Sequence, residues 1–429
     1  MKKIITIVLI ALLACCAVFA DTIDKVEYPE LDLAFQPTMA KYDAMGQSGL
    51  AVPTKLDSFY TNPANLAVKR GFGFTFPSMS VTVYNIQKLV SDEEAMETVN
   101  HIVDKTATDE EKIGLATKYL NNLGSGKNAI AKIDMGLGVQ LGSLGLGTNV
   151  QIKIHSLNKG SSLASIYLIP EVNVAQTIGL GLKIIDTNAL SLSLGASVHG
   201  VYKAYFKGIG GNTAITFVNN SDQIAETLLW DTPVMGGWAL PVDAGVTLGL
   251  ANDTFLICAT ANNLNGTYHM QSFAGAGYLV NSLKEGTIEV PEGRENPGES
   301  VRFDVQTPWE LNFGFAFSPD WKVLRPTVTA DLVDMLEMCQ IMGKSIKEKD
   351  GSFRAEDLLL HLNLGAEVEL LKIVSARVGI NRGYMSVGAC VRLLLAEVDL
   401  SYGWQEFGAE IGDKPVDSFT VKVVLGYDK

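Results

Sequence analysis

Four basic residues lie among small, uncharged polar residues in alternating stretches of this sequence. They are Lys153, Lys203, Arg377 and Arg392. A guanidinium is a two-pronged hydrogen-bond donor, so these positions could capture a carboxylate head group. The alternative is internal ion pairing. Three acids lie within cross-strand reach of the four cations: Asp134, Glu367 and Glu397.

No catalytic constellation accompanies these cations. The sequence contains no G-x-S-x-G, and its GxG pairs at 136–138, 145–147 and 179–181 recur at a period of two inside predicted strands. That period is typical of small residues on one face of a sheet rather than of a phosphate-binding loop. The five histidines show no metal-ligand spacing. We therefore predict neither an enzyme nor a cofactor or metal site.

The cations belong to a pattern that runs through most of the chain. In AEVDLSYGW (396–404) apolar residues alternate strictly with Glu, Asp, Ser and Gly. Some ten segments repeat this pattern, which predicts β-strands with one apolar and one polar face. The polar face is rich in Gly, Ser, Asn and Gln, which suit a crowded wet interior better than an exposed surface. We therefore predict that the apolar face contacts lipid.

The first hairpin provides a test of register. A two-residue turn at Ser143-Leu144 keeps both faces in phase, whereas a slip of one residue would exchange them. It predicts the pairs Ile133–Ile154, Met135–Ile152, Leu137–Val150 and Asp134–Lys153. The same reasoning places Arg392 opposite Glu397.

The N-terminus predicts export. Residues 1–20 have a basic start, an apolar stretch and a small-residue cleavage site after Ala20, as in a secretory signal peptide. Lipidation of Cys15 is the alternative. Removal of this segment leaves three well-separated cysteines, which do not form a disulfide framework.

Composition narrows the class of protein. A net charge of −13 and a pI of about 4.9 argue against nucleic-acid binding, whereas 47% hydrophobic residues and a mean hydropathy of +0.18 are high for a soluble acidic chain. No apolar run beyond residue 20 is long enough for a spanning helix. A large soluble β fold or an outer-membrane barrel remains, and the lipid-facing assignment favours the barrel.

Counting the alternating segments gives about fourteen antiparallel strands in residues 70–429. They are 70–84, 129–142, 145–157, 163–180, 189–206, 236–250, 254–268, 306–318, 324–337, 357–370, 373–381, 384–394, 396–407 and 417–428. Every second connection is short, and several of the others are long. This asymmetry is typical of transmembrane β-barrels, with long loops outside the cell. It predicts that both chain termini lie on the periplasmic side.

Residues 21–69 do not alternate, and they could fill the lumen of such a barrel. Within them Gly46 and Gly49 permit tight turns, and Asn62-Pro63 marks another turn before a short helix. This glycine-rich AMGQSG, followed by TNPANLA, resembles the N-terminal hatch of the FadL-type long-chain fatty acid transporter family. The C-terminal GAEVELLKIVSARVGINRGYMSVGACVRL is similar to the same superfamily, including its PorV-like members.

The resemblance implies a fourteen-stranded transmembrane barrel whose lumen is blocked by an N-terminal hatch. Its matching hatch residues are Gly46, Gly49, Asn62, Pro63 and Ala64. Two features depart from the family. Paired acids often precede the hatch motif, where this chain has Asp57 alone, and the chain ends on Lys429 rather than on the aromatic residue that outer-membrane assembly signals usually prefer.

Two loops suggest interaction surfaces. ETLLWDTPVMGGWALP (226–241) holds an apolar cluster that could admit a hydrophobic ligand or pack on the barrel rim. Its members are Leu228, Leu229, Trp230, Met235 and Trp238. Residues 88–123 predict a helical extracellular insertion of two helices, with capping boxes at Ser91/Glu94 and Thr108/Glu111 and an apolar stripe along one face. A lid over the mouth and a protective cap are both consistent with it.

The sequence thus favours an outer-membrane channel for passive uptake of hydrophobic molecules, with long-chain fatty acids as the leading candidates. The expected partners are outer-membrane lipids, a hydrophobic ligand and the barrel-assembly machinery, with no nucleic acid. The alternatives are a general diffusion porin for small polar solutes and a PorV-like surface scaffold or shuttle protein.

Overall fold

The computed structural model describes residues 25–28, 31, 34–54, 56–160, 163–210, 221–284, 288–294, 298, 300–348, 355–408 and 411–428. The predicted signal peptide and Cys15 lie outside the described residues. Cys258, Cys339 and Cys390 are free thiols. Among the residues described, no helix has the length and apolar character needed to cross a membrane.

Fourteen antiparallel strands form one closed barrel. They are β1 Gly71–Tyr84, β2 Gly126–Gly142, β3 Leu144–Asn158, β4 Ile166–Asp186, β5 Leu190–Phe206, β6 Val234–Ala239 with Val242–Leu250, β7 Phe255–Leu264 with Thr267–Phe273, β8 Arg302–Gln306 with Glu310–Phe317, β9 Leu324–Leu332, β10 Leu362–Leu370, β11 Val374–Asn381, β12 Tyr384–Leu393, β13 Ala396–Glu406 and β14 Pro415–Asp428. The first strand pairs with both the second and the last, for example through Val81 with Ile133 and Val421. Closure leaves the sheet without a free edge, so the predicted fourteen-stranded barrel is confirmed.

Three neighbouring strands are interrupted at similar heights. β6 breaks at Leu240-Pro241, β7 at Asn265-Gly266 and β8 between Gln306 and Glu310. Both halves of β6 pair with β5, so the halves belong to one strand. Proline has no N–H for the ladder, which accounts for the break in β6.

The two ends of the barrel differ as the sequence predicted. One end carries only short connections, such as residues 187–189 and 394–395, and is here named the turn end. The other end, named the loop end, carries most of the long connections. They hold α4 Ile86–Val90, α5 Glu93–Val103, α6 Asp109–Asn121, α7 Ser221–Trp230, α8 Ala276–Leu283, α9 Met335–Glu348 and α10 Ala355–Leu360.

The two faces of the wall carry different side chains. In β11, Val374, Val378 and Ile380 are exposed on the outside, whereas Ser375 and Arg377 are buried inside. The other alternating strands repeat this arrangement, with exposed Leu, Val, Ile and Phe outside and buried Asn, Gln, Ser, Thr and paired ions inside. An apolar exterior around a polar lumen is typical of a membrane-spanning barrel. The predicted assignment of faces is therefore what the structure shows.

The predicted register of the first hairpin was wrong by two residues. The turn is Gly142-Ser143, so Leu141 pairs with Leu144 and Ile133 with Ile152. Gly142 has a left-handed backbone with φ +64°, which suits glycine at this turn. A shift of two keeps every side chain on its predicted face, so alternation alone could not detect it. The predicted pairing of Arg392 with Glu397 is confirmed.

Two predicted strands partly form helices instead. The ninth strand, predicted for 324–337, ends at Leu332, and α9 follows it. The tenth, predicted for 357–370, begins at Leu362 because residues 355–360 form α10. Apolar runs of this length fit a helix as well as a strand, and periodicity alone does not separate the two.

The insertion after β1 has three helices rather than two. Thr108 and Glu111 form the predicted capping box at the start of α6. The other predicted box, at Ser91, was wrong, because the side chain of Asp92 caps α5 by accepting from the Ala95 N–H. Asp92 is equally suited to that role, since its carboxylate is a strong acceptor at a helix N-terminus.

The N-terminal segment runs down the inside of the barrel. Its helices are α1 Ala40–Ala44, α2 Ser58–Thr61 and α3 Asn65–Val68, numbered before α4 in chain order. Tyr28 lies at the loop end, where its hydroxyl accepts from the Gly208 N–H, and Lys69 lies near the Gly142 turn. The Tyr28 ring is therefore buried among the side chains at the loop end, whereas residues 1–24 lie outside the described residues, so the periplasmic position of the N-terminus stays a prediction.

Candidate functional site: the plugged lumen

Glycines on the inner wall allow the N-terminal segment to approach the barrel backbone. A Cβ at Gly195 would overlap the backbone of Pro63, and one at Gly379 would overlap that of Met45. The buried ring of Phe59 packs against three further lumen glycines, Gly145, Gly147 and Gly179. The GxG pairs of the sequence thus make room for residues 34–69, which are here named the plug.

The asparagines of the NPAN motif join the plug to itself and to the wall. Asn62 Nδ2 donates to Thr247 Oγ1 of β6 at 2.9 Å and to the Leu50 carbonyl at 3.2 Å, and its Oδ1 accepts from the Ala64 N–H. Asn65 Nδ2 donates to the same Leu50 carbonyl at 2.9 Å, and its Oδ1 accepts from Thr247 at 3.0 Å. Both asparagines are fully buried, so these bonds hold one conformation of the plug.

The predicted turn glycines have the expected backbone. Gly46 and Gly49 have φ values of +68° and +144°, which residues other than glycine rarely adopt. Gly46 follows α1 and approaches the Ile380 backbone of β11, while Gly49 lies against the ring of Tyr42. A larger residue at either position would be strained and would also displace a neighbour.

We expect Asn62→Ala to loosen the plug while leaving the barrel folded. The substitution removes one of the two hydrogen bonds of the Thr247 hydroxyl, which keeps Asn65, and leaves the Ala64 N–H without its partner inside the protein, at a cost of about 1–3 kcal/mol. Hydrogen exchange of residues 44–67 should therefore accelerate, with the barrel's melting temperature nearly unchanged. Asn188→Ala, at an exposed asparagine of a short turn, is the matched control. Unchanged exchange in the Asn62 variant would show that the motif does not hold the plug.

Sequence reasoning missed how two acids of the wall anchor the plug, because it named Glu367 only as an ion-pair partner and did not name Asp331. Asp331 Oδ2 in β9 accepts from the N–H groups of Gly49 and Leu50 at 2.6 and 2.9 Å. Glu367 in β10 binds Lys41 of α1 at 2.6 Å. Both acids fall in the lumen phase of their strands, which is the one signal in the sequence that singles them out, and only the path of the plug supplies their partners.

All four predicted head-group cations face the lumen and have protein partners. Arg377 lies between Glu367, at 2.8 Å, and Asp399. Arg392 binds Glu397 at 2.7 Å and Glu369 at 3.1 Å. Internal pairing, the alternative raised for these residues, is therefore what the structure shows for both arginines.

The two lysines share one partner that the sequence did not suggest. Glu171 in β4 lies 3.2 Å from Lys203 Nζ and 3.9 Å from Lys153 Nζ. Asp134, the acid expected for Lys153, lies opposite Gln151 instead, and it accepts hydrogen bonds from Gln151 and Thr38. The two-residue difference in register accounts for this exchange of partners.

Above the polar middle, the lumen becomes apolar at the loop end. Inward-facing side chains of β3 to β7 form a layer here named the apolar layer, and the N-terminal residues Tyr28 and Leu31 pack into it. Its wall residues are Leu157, Ile169, Ala175, Val201, Tyr205, Met235, Ala239, Tyr268 and Met270. Tyr28 and Leu31 therefore occupy an apolar layer of the lumen, and this layer surrounds the buried Lys203–Glu171 ion pair.

The five apolar residues predicted near 226–241 do not form one exposed cluster. Leu228, Leu229 and Trp230 belong to α7, where Trp230 is buried against Tyr278 with ring centroids 5.2 Å apart. Residues 234–239 are strand rather than loop. Met235 therefore faces inward and is fully buried, whereas Trp238 faces outward and is 49% exposed. Alternation within β6 separates residues that the sequence grouped together.

Ion pairs order the helical insertion outside the barrel. Lys118 of α6 lies 2.6 Å from Asp92 at the start of α5, and this hydrogen bond together with the Ala95 N–H lowers the pKa of Asp92. The Thr108 N–H likewise lowers the pKa of Glu111. Between the N-terminal segment and the wall, a cavity of about 450 Å³ has a mixed lining of polar residues and of apolar residues such as Leu31, Ile154 and Val201.

Solved structures of FadL-family channels are similar to this chain. The CymD monoaromatic hydrocarbon channel is 11% identical over 91% of this chain and 97% of that chain, with a TM-score of 0.47. The Pseudomonas putida toluene transporter TodX is 10% identical over 91% and 98%, with a TM-score of 0.44, and a Pseudomonas aeruginosa FadL homologue is 11% identical over 91% and 98%, with a TM-score of 0.42. No protein-family model and no curated protein matches the sequence. At these TM-scores, no residue correspondence is carried over to this chain.

Proposed function

We propose that this barrel lies in the bacterial outer membrane and takes up hydrophobic small molecules passively, with long-chain fatty acids as the leading candidates. The apolar layer is the observation that carries the proposal. A channel for polar solutes gains nothing from apolar side chains inside its mouth, whereas an apolar ligand gains about 25 cal/mol for each Å² that it buries there.

The residues that precede the plug support a gated route. Tyr28 and Leu31 occupy the apolar layer in the structure, so a bound ligand would compete with them for the same contacts. Their displacement would pull on the segment that leads to α1, which polar groups hold against the wall. Ligand binding at the loop end would thereby favour plug movement at the turn end, because it stabilises the displaced state.

We expect Met270→Gln to slow uptake of a fluorescent fatty-acid analogue into vesicles that hold the reconstituted full-length chain. Met270 is 2% exposed in the apolar layer, and an amide there costs about 1–3 kcal/mol of ligand binding, or roughly tenfold in initial rate. Met96→Gln, on the helical insertion outside the barrel, is the control and should leave the rate unchanged. Equal rates in the wild type and both variants would reject the apolar layer as the ligand route.

A diffusion porin is the second candidate, because the middle of the lumen is polar. Buried Asn173, Gln151 and Thr177 line it, as in a water-filled channel. A large steady current from the full-length chain in planar bilayers, together with sugar permeation, would favour the porin. A current near baseline with fatty-acid uptake would favour the hydrophobic channel.

A further inference from the structure

Three metal-ligating side chains meet at the loop end of the barrel. Asp334 directly precedes α9, Glu337 lies in the first turn of that helix, and His361 directly precedes β10. One ligand atom from each residue lies within 4.8 Å of the other two. The pairing of β9 with β10 brings them together across a separation of 24 residues or more in sequence, since Leu332 lies opposite Leu362.

A backbone contact fixes the ring of the histidine. His361 Nδ1 lies 3.0 Å from the Val333 carbonyl, and the Val333 N–H donates back to the His361 carbonyl at 2.9 Å. A carbonyl oxygen only accepts, so Nδ1 is the donor of this bond and Nε2 is the ring nitrogen left to bind a metal. Metal-binding imidazoles are commonly fixed by such a bond from the other ring nitrogen. His361 is 5% exposed, so its ring has little freedom to turn away.

The aspartate is also fixed by its neighbours. Arg382 Nη2 donates to Asp334 Oδ2 at 2.9 Å, and the Asp334 N–H donates to Asn312 Oδ1 at 2.9 Å. The backbone of Asp334 is left-handed, with φ +53°. These contacts fix the carboxylate through Oδ2, and within the part of the chain that the structure describes no hydrogen bond to Oδ1 is present. Glu337 is exposed and completes the set from the helix.

We propose that Asp334, Glu337 and His361 bind a divalent transition-metal ion of the zinc type. One imidazole nitrogen and two carboxylate oxygens match the ligands of zinc, whereas calcium and magnesium prefer oxygen alone. Three protein ligands leave a coordination position open to solvent at the loop end. The carboxylates contribute two negative charges and Arg382 one positive charge, so the site keeps a net charge of −1 with a neutral imidazole. The bound ion would fix the start of α9 to the barrel rim.

The test is titration of the detergent-solubilised full-length chain with Zn²⁺ by calorimetry at pH 7.5. We expect a saturable site in the wild type. In both Glu337→Gln and His361→Gln the Kd for Zn²⁺ should rise at least about tenfold, because each variant loses one of three ligands. His101→Gln is the matched control, since His101 pairs with Glu111 at 2.8 Å on the helical insertion and should leave the site intact.

Cobalt absorption provides a second readout that is independent of transport. Co²⁺ in the wild-type chain should give visible bands of a low-coordinate nitrogen–oxygen site, and Glu337→Gln should abolish them. Because Glu337 is exposed, this variant tests the site without disturbing the barrel. Zinc affinity and cobalt bands that are the same in the wild type, Glu337→Gln and His361→Gln would overturn the proposal.

Discussion

Deleting residues 21–69 should turn a closed barrel into an open conducting pore. A cylinder of fourteen strands about 4.8 Å apart and tilted by about 40° has a backbone diameter of about 28 Å, too wide for its own inward side chains to fill. The plug fills that space, from Thr38 beside Asp134 to Lys69 beside Gln140. Single-channel recording should show conductance at least about tenfold above that of the full-length chain.

A point substitution tests the same idea in the intact chain. Gly195→Ala places a methyl group on the Pro63 backbone, so the plug must shift and current should appear intermittently. Gly200→Ala in the same strand is the matched control, because its Cβ would lie 3.8 Å from the nearest atoms. If neither the deletion nor Gly195→Ala raised conductance above the control, the plug would not be what closes the lumen.

Replacing Arg377 should destabilise the protein far more than replacing Arg392. The Arg377 side chain is 1% exposed, and its removal leaves Glu367 and Asp399 buried without their shared cation, at a cost of about 3–5 kcal/mol. Arg392 is 41% exposed near the turn end, where solvent screens its pairs, so its loss costs about 0–1 kcal/mol.

Arg377→Met and Arg392→Met can be compared by guanidinium unfolding of the barrel in lipid vesicles. The Arg377 variant should also loosen the plug, because Arg377 fixes one oxygen of the Glu367 carboxylate whose other oxygen binds Lys41. Its residues near α1 should then exchange hydrogen faster than in the Arg392 variant. Similar unfolding midpoints for the two variants would show that the buried network contributes little net stability.

Local pattern was enough to predict the strands and their faces. Alternation at a period of two is a property of neighbouring residues, so AEVDLSYGW already indicates a strand with Val398 and Leu400 on one side and Asp399 on the other. It does not fix register. Pairing Ile133 with Ile152 or with Ile154 preserves both faces, and the observed choice depends on the Gly142-Ser143 turn.

Exposure and partner choice depended on contacts between distant segments. Met235 and Trp238 are close in sequence and similar in hydropathy, yet one faces Tyr205 in the apolar layer and the other lies outside. Asp331 resembles other lumen acids until the plug brings the Gly49 N–H to it. The plug motif indicated turns correctly, but nothing in it revealed that Tyr28 would lie at the loop end.

The sequence alone determined a barrel of fourteen strands with an apolar exterior, because each strand's alternation reflects the two environments that its own side chains meet. Only the tertiary structure decided which lumen ions pair, which apolar residues are buried, and that Asp334, Glu337 and His361 meet. These outcomes arise from cross-strand register and from the path of the N-terminal segment, which join residues up to hundreds of positions apart and leave no periodic signal in the chain.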